Sequence, residues 1–558
     1  MARISELVRN LLEKRGIQEK DFEAFLSPDY ARDTHDPFLL HDMERAVARV
    51  FAAMEQKEKI AVYSDFDCDG IPGAALLYDF FQKIGYSNVE VYIPHRDREG
   101  YGFHIAAIEQ LAERRVSLVI TVDVGTTAIE TVKRAKELGI DVIITDHHEQ
   151  TNGLPDALAV INPKLGAYPF RNLCGAAVAW KLVCALLVEG RKQELPAFST
   201  IPEGWEKWLL DLVAIATIAD LVPLREENRT LTHFGLKVLH KSPRLGVKAL
   251  CALTRLRQSE ITEDDVAFSF APRINAASRM DEPEIAFKLL TTNDERQARV
   301  CAARLEELNA ERKGVVAGLV RQARKTARAR FGGSEKVIAF GNPEWKPALL
   351  GLAANSIVEE RGGVVCLWGR DAAGRIKGSC RSDGSISVIE LFSNARQAFE
   401  EFGGHAYSGG FTVSHSNVHT LHEVLATAST SLAHATNEEK ERGHDVLITL
   451  SEVAPALLGE VSRLAPFGIG NPKPVFLISS VTVSSVRRFG RDNHHVEVIV
   501  SCERTGVSIR AFDFFKSPEN FTHAPTLLAP VQLLATLQRD SFRGGVSLRL
   551  LDILALQS

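Results

Sequence analysis

Early in the chain, three apolar runs each end in carboxylates. Lys59-Ile60-Ala61-Val62-Tyr63 leads into Ser64-Asp65-Phe66-Asp67-Cys68-Asp69-Gly70. Ser117-Leu118-Val119-Ile120-Thr121-Val122 ends at Asp123, and Ile140-Asp141-Val142-Ile143-Ile144-Thr145 ends at Asp146-His147-His148. Continuous apolar runs separated by helix-like stretches predict parallel strands covered on both faces. In open sheets of that kind, ligands gather beyond the carboxyl ends of the strands. The predicted edge carries at least five carboxylates and two histidines. So much negative charge in one place needs cations, and the pattern predicts a metal site with more than one ion.

A chain of 558 residues is long enough for roughly three or four domains. Met1-Ala2-Arg3-Ile4-Ser5-Glu6 lacks the basic-then-apolar pattern of a signal peptide, and no apolar run approaches the roughly 20 residues of a membrane span. The eight cysteines are scattered, with no CxxC pair, which suits reduced thiols and neither a disulfide framework nor a structural zinc site. A cytoplasmic protein with no membrane partner is the expectation. The net charge of -5 counts carboxylates that metal ions would neutralise, so it neither supports nor excludes a polyanionic substrate.

Residues 1–45 hold a short helical pattern (Ile4, Leu7, Leu11, Leu12) and a loop, and read as an appendage. Over 46–225 strands and helices alternate. Ile71, Ala74, Leu77, Phe81 and Ile84 mark one helix, and Ile129, Val132, Ala135 and Leu138 mark another that stops at Gly139. Strand-helix-strand units predict a doubly wound α/β domain. Residues 226–330 read as a helical connector. Asn293-Asp294 caps a proline-free stretch with Leu305, Leu308, Val315 and Leu319, either one helix spanning ~50 Å or two broken near Gly314 and Gly318. A second α/β lobe is predicted over 331–425, with strands Val337-Ile338-Ala339-Phe340 and Val364-Val365-Cys366-Leu367-Trp368. After a polar stretch at 437–443, apolar and polar residues alternate in His495-Val498, Val507-Phe512 and Val546-Leu550. That period predicts antiparallel strands and a small β-barrel over 440–558.

Alternating aspartates in a tight loop bring several oxygens around one point. Oxygen-rich ligand sets with one or two imidazoles favour Mg²⁺ or Mn²⁺ over zinc, and the histidines tilt the choice toward Mn²⁺. Two such ions sharing a carboxylate ~3.5–4 Å apart suit in-line displacement at phosphorus. Cys68, lying between two aspartates, is expected to point the other way by strand-like alternation and simply pack. Asp220, in an apolar segment, is a helix cap or a ligand. A buried unpaired carboxylate is costly there, which favours the ligand.

These motifs resemble the DHH phosphoesterase superfamily, named for Asp146-His147-His148, and within it the RecJ single-strand-specific exonucleases. The resemblance extends to Pro94-His95-Arg96-Asp97-Arg98-Glu99-Gly100-Tyr101-Gly102, Cys174-Gly175-Ala176-Ala177-Val178-Ala179-Trp180-Lys181-Leu182 and Ile215-Ala216-Thr217-Ile218-Ala219-Asp220-Leu221-Val222-Pro223-Leu224. It continues in Pro272-Arg273-Ile274-Asn275-Ala276-Ala277 and in Leu464-Ala465-Pro466-Phe467-Gly468-Ile469-Gly470-Asn471-Pro472, which resembles the entry to an oligonucleotide-binding barrel. It covers nearly the whole chain.

The resemblance implies a DHH parallel-sheet lobe and a DHHA1 α/β lobe facing across a cleft, joined by the long helix, with a C-terminal OB-fold barrel that holds single strand by stacking and backbone charge. By that likeness Asp67, Asp69, Asp123, His147 and Asp220 match the ligands of two divalent ions, Mn²⁺ or Mg²⁺, with Asp123 bridging. Asp65 and Asp146 match positions that bind metal or orient ligands, and His148 one that contacts the scissile phosphate. Gly403-Gly404-His405 resembles the DHHA1 signature. Ser379 and Arg381 with Arg279, and Arg96, resemble residues that hold the strand's phosphates, work suited to a planar guanidinium fork. The alternative for Arg279 and Arg381 is a surface ion pair. Departures from the family pattern are Val124 where asparagine is common, Ser278 for a usual glycine, and Tyr407 and Ser408 in an alanine-rich segment; Tyr407 and Ser408 are expected to narrow the groove or alter strand contacts.

The activity implied is metal-dependent 5′ to 3′ hydrolysis of single-stranded DNA in repair and recombination, with a helicase and a single-strand binding protein as partners. One rival is a small-substrate phosphoesterase acting on cyclic dinucleotides or short oligonucleotides, which generally lacks the barrel. Another is a non-catalytic replication protein resembling Cdc45, which the full set of expected ligands argues against.

Overall fold

The computed structural model describes residues 4–150, 153–280, 282–332, 335–432, 443–490, 493–540 and 544–556. Of the polar stretch at 437–443, only Gly443 lies among them. The chain divides into two compact units, one of residues 35–222 and 234–437, the other of 1–34, 223–233 and 438–558.

The larger unit holds both α/β lobes. In the first, β1 (Lys59–Ser64), β2 (Val89–Tyr92), β3 (Val116–Val122), β4 (Asp141–Thr145) and β5 (Ala159–Ile161) form one sheet in the order β2-β1-β3-β4-β5. All its pairings are parallel. Every residue of β1 after Lys59 is buried, as the unbroken apolar runs require of strands covered on both faces. Helix α1 (Gly70–Lys83) follows β1, α2 (Ile129–Glu137) follows β3, and α3 (Gly175–Lys192) follows β5. α1 lies so close to the sheet that a Cβ on Gly73 would come within 2.4 Å of Val122 Cγ1. α4 (Leu210–Ala219) is buried along its whole length.

α5 (Ala271–Arg279) and α6 (Glu295–Arg330) lead to the second lobe. α6 is one helix of 36 residues, about 54 Å long, capped by the Asp294 side chain. Gly314 and Gly318 do not break it, for both have open space around them. Its buried stripe is Leu305, Leu308, Leu319 and Ala323, whereas Val315 is partly exposed. The second sheet comprises β6 (Val337–Gly341), β7 (Val364–Arg370), β8 (Ile376–Ser382), β9 (Glu401–Gly404) and β10 (Ser408–Val413), in the order β6-β7-β8-β10-β9, and α7 (Pro347–Arg361) connects β6 to β7. β6 and β7 are parallel, and the remaining pairs are antiparallel. In β8 the odd and even positions differ in burial, which places Ser379 and Arg381 on the face opposite Cys380.

In the smaller unit, β11 (Val446–Ile448), β12 (Phe476–Phe489), β13 (His495–Ser501), β14 (Ser508–Asp513), β15 (Pro530–Arg539) and β16 (Val546–Ala555) form a barrel closed by the β12–β15 pairing. Its core alternates inward along the strands, with Val496, Val498, Val500, Leu548 and Leu550 buried. Residues 1–34, expected as an appendage, share this unit: Val8, Leu11, Leu12 and Phe22 pack against Leu464. Arg229 binds the segments together. Its guanidinium donates to the carbonyls of Phe25, Leu464 and Ala465 and lies 3.8 Å from the Phe25 ring centroid.

Candidate metal centre and cleft

The backbone ladder of the first sheet runs on past the strand ends and aims the acidic side chains. Asp65 N–H donates to Val122 O, Asp123 N–H to Thr145 O and Asp146 N–H to Ile161 O. Beyond those bonds the segments part. Asp67 accepts the N–H groups of Asp69 and Gly70, and Cys68 N–H donates to Asn275 Oδ1. Cys68 is buried as expected, but this turn takes it there, and not strand alternation. Asp123 has φ of 61°, a left-handed conformation that a non-glycine residue adopts at a cost of order 1–3 kcal/mol. Strain of that kind persists where the surrounding structure fixes it.

Three groups of ligand-type atoms lie within 4.8 Å of one another: Asp123, His147 and His148; Asp69, His147 and Asp220; and Asp65, Asp67 and Asp123. His147 Nε2 is 3.1 Å from Asp123 Oδ1 and 3.7 Å from an oxygen of both Asp69 and Asp220. Asp220 sits at the C-terminal cap of α4 with its carboxylate in this group, so the cap and the site coincide. Asp69 accepts the N–H groups of Gly175 and Ala176, at 2.6 and 2.8 Å, from the first turn of α3. Gly175 is required there, since a Cβ would meet Asp123 Cα at 2.7 Å.

The electrostatics are those of an anion cluster short of cations. Burial and the neighbouring carboxylates raise the acidity constants of Asp65 and Asp123 well above the ordinary range, that of Asp69 to about 6 and that of Asp220 to about 9. One oxygen each of Asp65 and Asp123 is buried with no hydrogen-bond partner. An orphaned buried acceptor is costly, and the donor set, oxygens with one or two imidazoles, fits a hard divalent ion. Asp146 differs. Its oxygens accept the N–H groups of His147, His148 and Thr126 and the His148 ring at 2.7 Å, so it orients its neighbours. Despite burial, Asp146 raises the His148 pKa to about 9, while burial and His148 lower that of His147 to about 3.

Across from this edge the second lobe closes a cavity of about 760 Å³, lined by Arg96, Tyr101 and His148 on one side and by Ser379, Gly404 and His405 on the other. Arg96 stacks on Phe66 at 4.9 Å. Arg279, at the end of α5, donates to Ala348 O, and Arg381 donates to Cys380 O. No carboxylate pairs with either arginine among the described residues, so the surface ion-pair alternative is not what the structure shows. Burial lowers the Arg279 pKa to about 9, with Arg96 and Arg312 adding to the effect. Gly351 makes room for Arg381, whose Nη2 lies 2.6 Å from where a Cβ would be. Tyr407, expected to narrow the groove, lies over Gly384 and is not among the lining residues; Ser408 pairs with Arg381 across β10 and β8. Val124 and Ser278 are buried.

Sequence reasoning gave no role to Tyr101, whose hydroxyl is 3.2 Å from His148 Nε2, nor to Gly175 and Asn275. All three lie inside motifs that the sequence singled out. What they hold is visible only once the chain is folded.

Family models match along the chain: the DHH family, N-terminal domain over residues 59–217, the DHHA1 domain over 333–432 and the RecJ OB domain over 444–551. The single-stranded-DNA-specific exonuclease RecJ of Bacillus subtilis is 34% identical over 91% of this chain, which spans 63% of that relative's length. The RecJ of Haemophilus influenzae is 31% identical over 92% of this chain and 91% of its own. The crystal structure of Thermus thermophilus RecJ in complex with Mn²⁺ superposes with a TM-score of 0.80 at 26% identity, covering 99% of this chain and 76% of that one. Among the described residues no helix is long and apolar enough to cross a membrane. With that identity along nearly all of the Haemophilus relative, and with both lobes and the barrel matched, this chain belongs to the RecJ family of single-stranded-DNA-specific exonucleases.

Proposed function

We propose that this chain is a metal-dependent exonuclease that hydrolyses phosphodiester bonds of single-stranded DNA from the 5′ end, in repair and recombination in the cytoplasm. The observation that carries the reading is the set of buried, mutually repelling carboxylates around His147, facing across one cavity a group of arginines that lack carboxylate partners. Asp67, Asp69, Asp123, His147 and Asp220 would hold two divalent ions, Mn²⁺ or Mg²⁺, with Asp123 shared between them. The orphaned oxygen of Asp65 makes it a further ligand candidate.

When bound, the ions supply charge stabilisation and water activation for in-line displacement at phosphorus. The chain's own groups do the rest. Asp146 fixes the His148 ring through Nδ1 and holds it cationic at neutral pH, leaving Nε2 to donate to an oxygen of the scissile phosphate. Arg279, Arg381, Ser379, Arg96 and His405 grip the strand's phosphates, the arginines through charge-assisted bonds. The barrel binds the strand beyond the cleft by stacking and backbone charge. Partners that supply unwound DNA, a helicase and a single-strand binding protein, belong to the same reading.

A gel assay of single- and double-stranded DNA carrying a 3′ label, with Mn²⁺, Mg²⁺ or chelator, tests the proposal. Metal-dependent loss of nucleotides from the 5′ end of single strands alone is expected. Degradation of duplex at equal rate, removal of the 3′ label first, or activity in chelator would refute it.

A further inference from the structure

The connector helix α6 carries two polar side chains that serve no purpose in joining the lobes. Asn309 is 1% exposed, and Arg312, one turn later, donates from Nη2 to Asn309 Oδ1 at 2.9 Å. That bond fixes the amide orientation, because a guanidinium needs the oxygen and not the NH₂. Two donors are then left over. Arg312 Nε and Asn309 Nδ2 are both shielded from water and have no acceptor. Each unmet buried donor costs about 1–3 kcal/mol, the charged one more. A helix that needed only to pack would carry apolar residues at these positions.

α6 packs against α5, which ends at Arg279. Burial is the largest influence disfavouring charge on Arg279, and the guanidiniums of Arg96, Arg312 and Arg381 add to it against Asp67 alone. Arg279, Arg312 and Arg381 have uncharged oxygens as their acceptors: Ala348 O, Asn309 Oδ1 and Cys380 O. Three guanidiniums with no paired carboxylate, converging with Arg96 from four separate segments, form a site for an anion of more than one charge. A strand's internal phosphodiester carries one negative charge, whereas a terminal phosphate monoester carries close to two at neutral pH.

We infer that Asn309 and Arg312 are specificity-determining residues for a 5′-terminal phosphate, completing with Arg279 and Arg381 a pocket that favours the monoester end over an internal diester. The inference rests on the exonuclease reading above and adds to it a contribution from the helix that joins the two lobes. It also assigns that helix a part in deciding which ends are held.

The test uses the full chain in chelator, so that binding is read without turnover. Fluorescence anisotropy compares a 5′-phosphorylated and a 5′-hydroxyl oligothymidylate in wild type, Arg312→Gln and Arg312→Lys. Wild type should prefer the phosphorylated strand by at least ~10-fold. Arg312→Gln should remove most of that preference while leaving the 5′-hydroxyl affinity within about twofold. Arg312→Lys should restore part of it, since it keeps the charge and loses the fork. Equal weakening of both strands in Arg312→Gln would mean a general or structural role and overturn the inference, as would no preference in wild type. Hydrolysis of the 5′-hydroxyl strand by wild type with Mn²⁺ is read separately. Its absence counts against the exonuclease reading, while hydrolysis without an end preference counts against this inference alone.

Discussion

Metal binding to the acidic cluster is expected to expel at least one proton at pH 7 and to tighten as pH rises. Asp220, with a pKa of about 9, is mostly protonated at pH 7 when no ion is present, whereas Asp69, at about 6, is mostly ionised. An ion takes the deprotonated carboxylate, so binding must release the Asp220 proton. One proton per binding event makes affinity change about tenfold, or 1.36 kcal/mol, per pH unit. The same groups set the stability of the metal-free protein. Their folded pKa values lie above the ordinary carboxylate value of 3.8, so their contribution to stability is fully present below pH ~4 and lost as pH rises through the folded values. For Asp220 that loss is about 3 kcal/mol between pH 6 and 8. Titration calorimetry with Mn²⁺ at pH 6, 7 and 8, in buffers of different ionisation enthalpy, reads both proton release and slope. Asp220→Asn should remove one released proton and flatten the slope. A dissociation constant independent of pH over this range, with no proton release, would refute the account of repelling, partly protonated carboxylates.

Asp123→Asn keeps the size and tolerates the left-handed backbone, so the fold should persist and the metal-free melting temperature should not fall. Turnover on single strands should drop by at least ~10³-fold, and near-normal rates with Mn²⁺ would dismiss the shared-ligand role of Asp123. Gly175→Ala places a Cβ 2.7 Å from Asp123 Cα and should cost about 1–3 kcal/mol of stability. Displacing Asp69 and Asp123 should also slow turnover by ~10²-fold; a variant with wild-type activity would show that the site tolerates the movement. Arg229→Ala strips the buried carbonyls of Phe25, Leu464 and Ala465 of a charged donor. Proteolysis should then cut residues 1–34 or the barrel first, with a loss of roughly 2–4 kcal/mol in denaturant unfolding; an unchanged digestion pattern would count against this role.

Periodicity alone determined much of this protein. Apolar runs ending in aspartate announced the parallel sheet and the place where ligands gather, because a strand covered on both faces cannot alternate and its carboxyl end is the open edge. Alternation in the last hundred residues announced the barrel for the opposite reason, one face of each strand being wet. The long helix was legible from its cap and from the absence of proline, although a pattern of apolar residues left open whether Gly314 and Gly318 would break it. They do not, because α6 is held by its buried stripe and glycine in an exposed turn costs only about 1 kcal/mol.

Contacts between residues far apart in the chain were decided only by tertiary structure. Burial of Val8, Leu11, Leu12 and Phe22 against Leu464 makes the N-terminal helix part of the barrel unit, and no local pattern encodes a partner some 450 residues away. Asp69 is fixed by the first turn of α3, Asp220 joins His147 from the end of α4, and Asp65 loses its hydrogen-bond partners because the sheet and helices close over it. The sequence could name these carboxylates by motif. Which of them is strained, which is orphaned and which merely orients a histidine depends on the water excluded and the dipoles gathered around each, and those exist only when the chain is folded.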